Sequence, residues 1–428
     1  MNEGAFKVPD ESKQRTNPSA RLLLASQLIF NLGFYSVVPF LAATMRGDFG
    51  LGAMAVGVVL GARTFAQQGL FLLGGAAADR WGTRPVMIAG CVARSGGYLL
   101  LLLASDFPLF LWGAVMTGIG GALFSPALES LVGAADERRR TLQPGKSTLF
   151  ALLVVWGEIG AVAGPLLGSI LFHTGFDTAL LAGAVTFAVM AVVFRAFLPG
   201  PSPRAPEGNR RHTGPVPPSG ILACLKERRF LAFAAFYGVN LFAYNQLYFG
   251  LPIELERSDA GQGTLPALFA YASVLTIALQ WPIASAMKRT GPRLALALGF
   301  SLEALGFAAM AAVPPPAAFP ALPALILVTG LALGHMCVAP VAMSLVPTFA
   351  SGRATGAFYG LLSSCGGAMV LLGNVFLAPL YEQASTPTLA TASPWLISAA
   401  LALASAAIIP RFPPARARAR ATQKLQTA

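Results

Sequence analysis

The chain has 428 residues, of which 55% are hydrophobic and only 11% charged, and its mean hydropathy is +0.65. So few polar groups cannot coat a water-soluble globule of this length, so the bilayer is the expected solvent. The net charge of +12 would suit a nucleic-acid binder until the cations are sorted by position.

A helix crossing hydrocarbon needs ~20 apolar residues, because every backbone N–H and C=O must be satisfied inside its own segment. Residues 1–20 form a polar tail with Glu3, Asp10 and Glu11 among its bases; it lacks the layout of a cleaved signal, and the first apolar stretch is expected to stay as its own anchor. Twelve stretches of spanning length follow, near 21–45, 51–78, 84–104, 107–133, 146–172, 176–198, 230–252, 264–287, 292–313, 320–345, 355–380 and 390–410. Many are rich in Gly, Ala, Ser and Pro, which suits helices packed backbone against backbone in lipid. Residues 199–229 begin Pro-Gly-Pro-Ser-Pro and contain Arg210, Arg211, Pro215, Pro217 and Pro218, which no buried helix accommodates. They read as a cytoplasmic linker between a six-helix bundle at 21–198 and another at 230–410, before a basic cytoplasmic tail at 411–428.

With the N-terminus inside, the cytoplasmic segments collect Lys7, Lys13, Arg15, Arg21, Arg80, Arg84, Arg138, Arg139, Arg140, Lys146, Lys288, Arg289, Arg293 and Arg353, with the linker and tail bases. Outside stand only Arg46 and Arg257. This is the positive-inside pattern, so the basic excess reads as topology, with both termini cytoplasmic and no nucleic-acid partner expected. The four cysteines, Cys91, Cys224, Cys337 and Cys365, have no metal-ligand spacing and read as packing residues; neither a metal nor a cofactor is expected.

The two halves carry matching landmarks. Asp79-Arg80-Trp81-Gly82-Thr83-Arg84 aligns with Lys288-Arg289-Thr290-Gly291-Pro292-Arg293, and Tyr35 and Pro39 align with Tyr248 and Pro252. Thr117-Gly118, Pro126 and Ser130 echo Thr329-Gly330, Pro340 and Ser344, with a drift of two residues. Such an internal repeat is the mark of many transporters.

Two motifs stand out. Gly75-x-x-x-Asp79-Arg80-x-Gly82-x-Arg84 lies between spans two and three, where Gly82 suits a turn and Asp79 ends a helix beside cations. In span five, Gly160, Gly164 and Gly168 lie four residues apart with Pro165, a face that lets another helix approach closely. Together these resemble the loop signature and the antiporter motif of the major facilitator superfamily. Asn31-Leu-Gly-Phe34-Tyr35 with Pro39, Arg63-Thr-Phe65-Ala-Gln67-Gln68-Gly69 and Gly74-Gly75 are similar to its drug:proton antiporter branch. The resemblance implies an all-α membrane protein of twelve transmembrane helices in two pseudo-symmetric six-helix bundles, in the bacterial cytoplasmic (inner) membrane. It implies a conformational clamp at Gly75, Asp79, Arg80, Gly82 and Arg84, and glycines of span five at the interface between halves. Span four carries no arginine at the family's proton-linked position, only Trp112 and Met116 thereabouts, so that coupling route is not carried over.

Charges inside the hydrocarbon are costly and need a partner or a purpose. Arg63, Arg94, Glu129, Glu158 and Glu303 stand inside expected spans. Glu158, two residues before the span-five glycines, is the leading candidate proton carrier, with Asp79 and Glu129 as further coupling candidates and Glu129 as a possible partner of the clamp. Its alternative is a permanent salt bridge. Arg63 and Gln67 lie one turn apart on one face, where Arg63 could neutralise an anionic substrate or hold an acid. Arg94 and Glu303 occupy equivalent places in spans three and nine, where structural pairing is expected; His335 reads as a satisfied core histidine. Tyr35, Trp156, Tyr244 and Tyr248 with Asn31, Asn245 and Gln280 are expected to line a cavity of aromatic faces and uncharged polar groups.

The expected function is export of small amphiphilic molecules by proton antiport with alternating access, as a monomer without enzymatic activity. A siderophore exporter, a lysolipid flippase and a proton-coupled uptake symporter would share the same motifs. No catalytic cluster and no nucleotide loop is visible.

Overall fold

The computed structural model describes residues 19–47, 49–142, 149–198, 224–258, 261–314, 316–350, 356–382 and 389–412. The N-terminal tail to residue 18, linker residues 199–223, Arg353 and the C-terminal tail from residue 413 lie outside the described residues. Those described are helical, without strands.

The first half contains α1 (Ala20–Tyr35), α2 (Val38–Gly47), α3 (Ala53–Gly69), α4 (Phe71–Trp81), α5 (Thr83–Leu102), α6 (Phe107–Leu142), α7 (Leu149–His173) and α8 (Phe176–Phe197). The second contains α9 (Arg228–Asn245), α10 (Gly250–Arg257), α11 (Leu265–Thr290), α12 (Pro292–Ala312), α13 (Leu322–Ala350), α14 (Gly356–Glu382) and α15 (Leu389–Ile408). Ser19 caps the first helix, its Oγ accepting from the Leu22 amide at 3.2 Å.

Among the described residues, ten helices are long and apolar enough to cross a membrane. Expected spans two and seven are not among them, and each is divided, as span one is between α1 and α2. Span two breaks at Leu70 between α3 and α4 without a proline, and the carbonyl of Gly69 accepts instead from Ser364 Oγ at 3.1 Å. Non-helical backbone at membrane depth is tolerated where protein satisfies it in this way. Span seven breaks between Asn245 and Gly250, and Pro252 sits near the start of α10 as Pro39 does in α2. Tyr35 stands at the corresponding break of span one, between α1 and α2, and the repeat-related Tyr248 at that of span seven, their rings 6.5 Å apart.

The packing repeats as well. In the first half α1 lies on α7, α3 on α6, and α5 on both α6 and α8. In the second, α9 lies on α14, α11 on α13, and α12 on both α13 and α15, which is the same scheme advanced by six spans. The turn glycines correspond, with φ +92° at Gly82 and +83° at Gly291, each joining the end of one helix to the start of the next. The spans-four-and-ten landmark shifts register. Gly120 packs on Gly90 and Arg94 as Gly334 packs on Gly299 and Glu303, which pairs Pro126 with Pro340 and leaves Thr117 out of line with Thr329.

The halves meet along α3 against α14 and α7 against α11. Close approach explains Gly57 and Gly61, where an added Cβ would lie 2.9 Å from the Asn374 carbonyl oxygen and 2.8 Å from Leu371 Cα.

Candidate functional site

A cavity of about 230 Å³ lies between the halves, walled by α1, α3, α5, α6 and α9. Of the expected residues, Asn31, Tyr35, Arg63, Gln67, Tyr244, Asn245 and Tyr248 line it; Trp156 and Gln280 do not. Trp156 is exposed instead. Arg94, Thr64, Gln68 and Gln27 also line it, although sequence reading did not single them out as wall residues.

One end of the cavity is shut by contacts between the halves. Arg46 Nε donates to Glu256 Oε2 at 2.6 Å, and the Met54 amide donates to Glu382 Oε1 at 3.1 Å. Deeper, a chain of amides seals the wall: Asn374 Nδ2 donates to Asn245 Oδ1 at 3.0 Å, and Gln246 Nε2 to Asn374 Oδ1 at 3.1 Å. Beyond Gly69 and Ser364, toward the Gly82 turn, no hydrogen bond joins the halves among the described residues. There Arg80, Trp81 and Arg289 are exposed, and Arg84 donates to the carbonyl of Arg195 within its own half. The side chain of Asp79 lies outside the described residues, while Gly75 rests on Pro126 of α6.

The glycines of span five face a different neighbour from the one expected. Cβ atoms added at Gly160, Gly164 and Gly168 would collide with Leu28, Tyr35 and Ser36, so this face packs on the first span of its own half and not across the interface. The tight pair α1–α7 holds Glu158 near the cavity. Asn31 Nδ2, on the cavity wall, donates at 2.9 Å to the carbonyl of Gly157, the residue before Glu158. Glu158 is half-buried and has neither an ion pair nor a hydrogen bond among the described residues, so the salt bridge weighed from sequence is not formed. Glu129 is exposed on α6.

Arg63 and Arg94 are 4% and 2% exposed. Arg63 Nη2 donates to Gln67 Oε1 at 3.1 Å, and its guanidinium lies 4.6 Å from the centre of the Phe34 ring. Arg94 sits 5.0 Å from Phe187, 5.3 Å from Phe124 and 5.4 Å from Phe34. Neither makes an ion pair among the described residues, so the pairing expected for Arg94 is absent. Glu303 behaves differently. It accepts from Asn240 Nδ2, and Asn240 Oδ1 accepts at 2.9 Å from Nδ1 of His335, whose ring lies 4.7 Å from that of Tyr244 and is tilted against it by 35°. His335 therefore belongs to a buried hydrogen-bonded network, in which Glu303 Oε2 alone has no partner among the described residues.

The family model of the Major Facilitator Superfamily matches residues 23–374. An uncharacterized MFS-type transporter of Mycobacterium tuberculosis is 33% identical over 376 residues, covering 86% of this chain and 87% of that protein. The multidrug resistance protein MdtH of Sodalis glossinidius is 30% identical over 387 residues, 88% of each chain, and MdtH of Escherichia coli is 28% identical over 389 residues, 90% of this chain and 91% of the relative. Among solved structures, an auto-inhibited POT family peptide transporter superposes with a TM-score of 0.72 at 16% identity, covering 92% of this chain and 96% of that one. The nucleoside transporter NupG gives 0.70 at 16% identity, covering 92% and 98%. At such identity these two structures speak for the fold alone.

Proposed function

The chain belongs to the major facilitator superfamily, a transporter and not an enzyme, and on that premise we propose that it exports small amphiphilic molecules by proton antiport with alternating access. The divided helices α3–α4 and α9–α10 complete twelve crossings with the ten apolar spans, in two six-helix bundles that rock about α3–α14 and α7–α11. By the positive-inside rule the closed end, which holds Arg46 and Arg257, faces outward. The conformation is then open to the cytoplasm, where cargo would enter, in the inner membrane of a bacterium. The names of the multidrug resistance relatives agree with efflux.

The observation that carries the coupling is Glu158, half-buried and without an ion pair or hydrogen bond among the described residues. It sits on the one helix that packs both on α1, which walls the cavity, and on α11 of the opposite half. Proton binding would neutralise a costly charge on the helix that meets the other half, and cargo in the cavity would meet it through Asn31, which is bonded to the neighbouring Gly157 carbonyl. One proton entering down 100 mV releases ~2.3 kcal/mol, enough for roughly fifty-fold accumulation, so ATP is not needed. Glu129 and Asp79 are secondary coupling positions, and the loop of Gly75, Asp79, Arg80, Gly82 and Arg84 would clamp the bundles in the outward-facing state, where the exposed Arg80 finds its partner. A monomer suffices for this cycle.

Inverted vesicles loaded with a pH-sensitive dye test the proposal. Adding cargo should release protons with the parent chain and fail to do so with Glu158→Gln, while Glu158→Asp keeps partial coupling. Full coupling in Glu158→Gln would remove Glu158 from the mechanism.

A further inference from the structure

Resting on the transport reading above, we propose that the cavity takes an anion: a small aromatic carboxylate, its acid group held by Arg63 and Arg94 and its ring lying among Tyr35, Tyr244 and Tyr248. The charge of the wall is the starting point. The residues lining the cavity include two arginines and not one carboxylate. The two guanidiniums share the Phe34 ring at 4.6 and 5.4 Å, so they stand at most about 10 Å apart in a poorly solvated space where like charges repel. A cationic guest would add a third positive charge to that field. An anion would relieve it.

The hydrogen-bonding edge points the same way. Aromatic faces attract the flat of a guanidinium and leave its N–H edge, with five donors, still in need of acceptors. Arg63 Nε and Arg94 Nε and Nη2 are buried without any partner among the described residues. Buried polar groups are ordinarily hydrogen-bonded, and orphaned ones concentrate at sites that await a ligand. Glu303 of the other half also keeps Oε2 without a partner among the described residues, but its Oε1 accepts from Asn240, whereas three N–H-bearing nitrogens of the two arginines are left open beside one cavity. A carboxylate is planar and matches the guanidinium fork with two parallel bonds. The neutral donors and acceptors of Gln27, Asn31 and Gln67 suit further polar substituents on the ring. A volume of about 230 Å³ is at the small end of ligand pockets, which favours a single fused ring system over a peptide or a two-chain lipid.

The test is calorimetric titration of the purified full chain in detergent with three probes of one shape: 2-naphthoate, 2-naphthamide and 2-naphthylmethylammonium. The acid should bind about tenfold more tightly than the amide, and the ammonium most weakly. In Arg63→Gln and in Arg94→Gln the acid-to-amide ratio should fall toward one while amide affinity stays near that of the parent chain, which separates charge recognition from misfolding. If either variant loses amide binding as well, Arg63→Lys and Arg94→Lys decide, since retained charge should retain the acid preference. Equal affinity for acid and amide, preference for the ammonium, binding of none of the three, or an acid preference untouched by both Gln variants would each overturn the proposal. Binding needs no pH gradient, so acid-selective binding without proton release in vesicles would sink the antiport reading alone, and proton-coupled export of the ammonium would sink this inference alone.

Discussion

Arg94 and Glu303 sit at the same place in the two halves, each twelve residues beyond a turn glycine with positive φ, on helices that pack in the same way. Both are almost completely buried. Their surroundings differ. Glu303 lies under Gly334 and receives the amide of Asn240, itself held by His335, so the second half supplies a donor to one oxygen of its buried carboxylate from within, while Oε2 has no partner among the described residues. Arg94 has three aromatic rings around it and, among the described residues, no acceptor for Nε or Nη2, and it lines the cavity. A duplicated scaffold has thus kept its packing and divided its chemistry: one copy of this position is tied by hydrogen bonds into its own half, and the other lines the cavity. What separates the two buried charges is what surrounds them, not their depth.

The contrast can be broken from either side. The largest expected effect belongs to Asn240→Leu, which strips the donor from a buried carboxylate and the acceptor from His335; stability should fall by about 3 kcal/mol in denaturant unfolding. A loss under about 1 kcal/mol would mean that the Glu303 network is not structural. Arg94→Met should alter stability by no more than about 1 kcal/mol, since no native hydrogen bond is lost and an uncompensated charge is removed, yet weaken cargo binding about tenfold. Unfolding on the scale of the Asn240 variant would instead make Arg94 a structural residue. Smallest of all, Arg46→Ala removes a partly exposed ion pair across the closed end, worth roughly 0.2–1 kcal/mol, and should shift the balance of conformations a few-fold, less so at high salt. Labelling of Met54→Cys by a membrane-impermeant maleimide should speed up accordingly.

Much of the fold was legible because its rules are local. Hydropathy placed ten spans from their residues alone, and Gly82 and Gly291 announced their turns by neighbourhood and repeat. The break at Leu70 was not legible, since no proline marks it and its freed carbonyl is satisfied by Ser364, nearly three hundred positions away. The span-five glycines told that a helix comes close but not which one, and that helix proved to be α1. For the cavity, Asn31, Tyr35, Arg63 and Gln67 lie on faces that helical spacing can foretell. Trp156 and Gln280 turn elsewhere because rotation about a helix axis is set by neighbours. The solitude of Arg94 is a statement about what other helices do not provide, and no single stretch of sequence contains it.

The central claim is that two rigid halves exchange access to one cavity under control of Glu158. Spin labels placed across the closed end at Phe49→Cys and Ser258→Cys, and across the other end at Trp81→Cys and Arg289→Cys, in a chain freed of Cys91, Cys224, Cys337 and Cys365, measure it directly by pulsed dipolar spectroscopy. Introducing Glu158→Gln as a mimic of the protonated state should lengthen the Phe49–Ser258 distance and shorten the Trp81–Arg289 distance together. Distances that change in the same sense, or do not change while transport continues, would contradict the account.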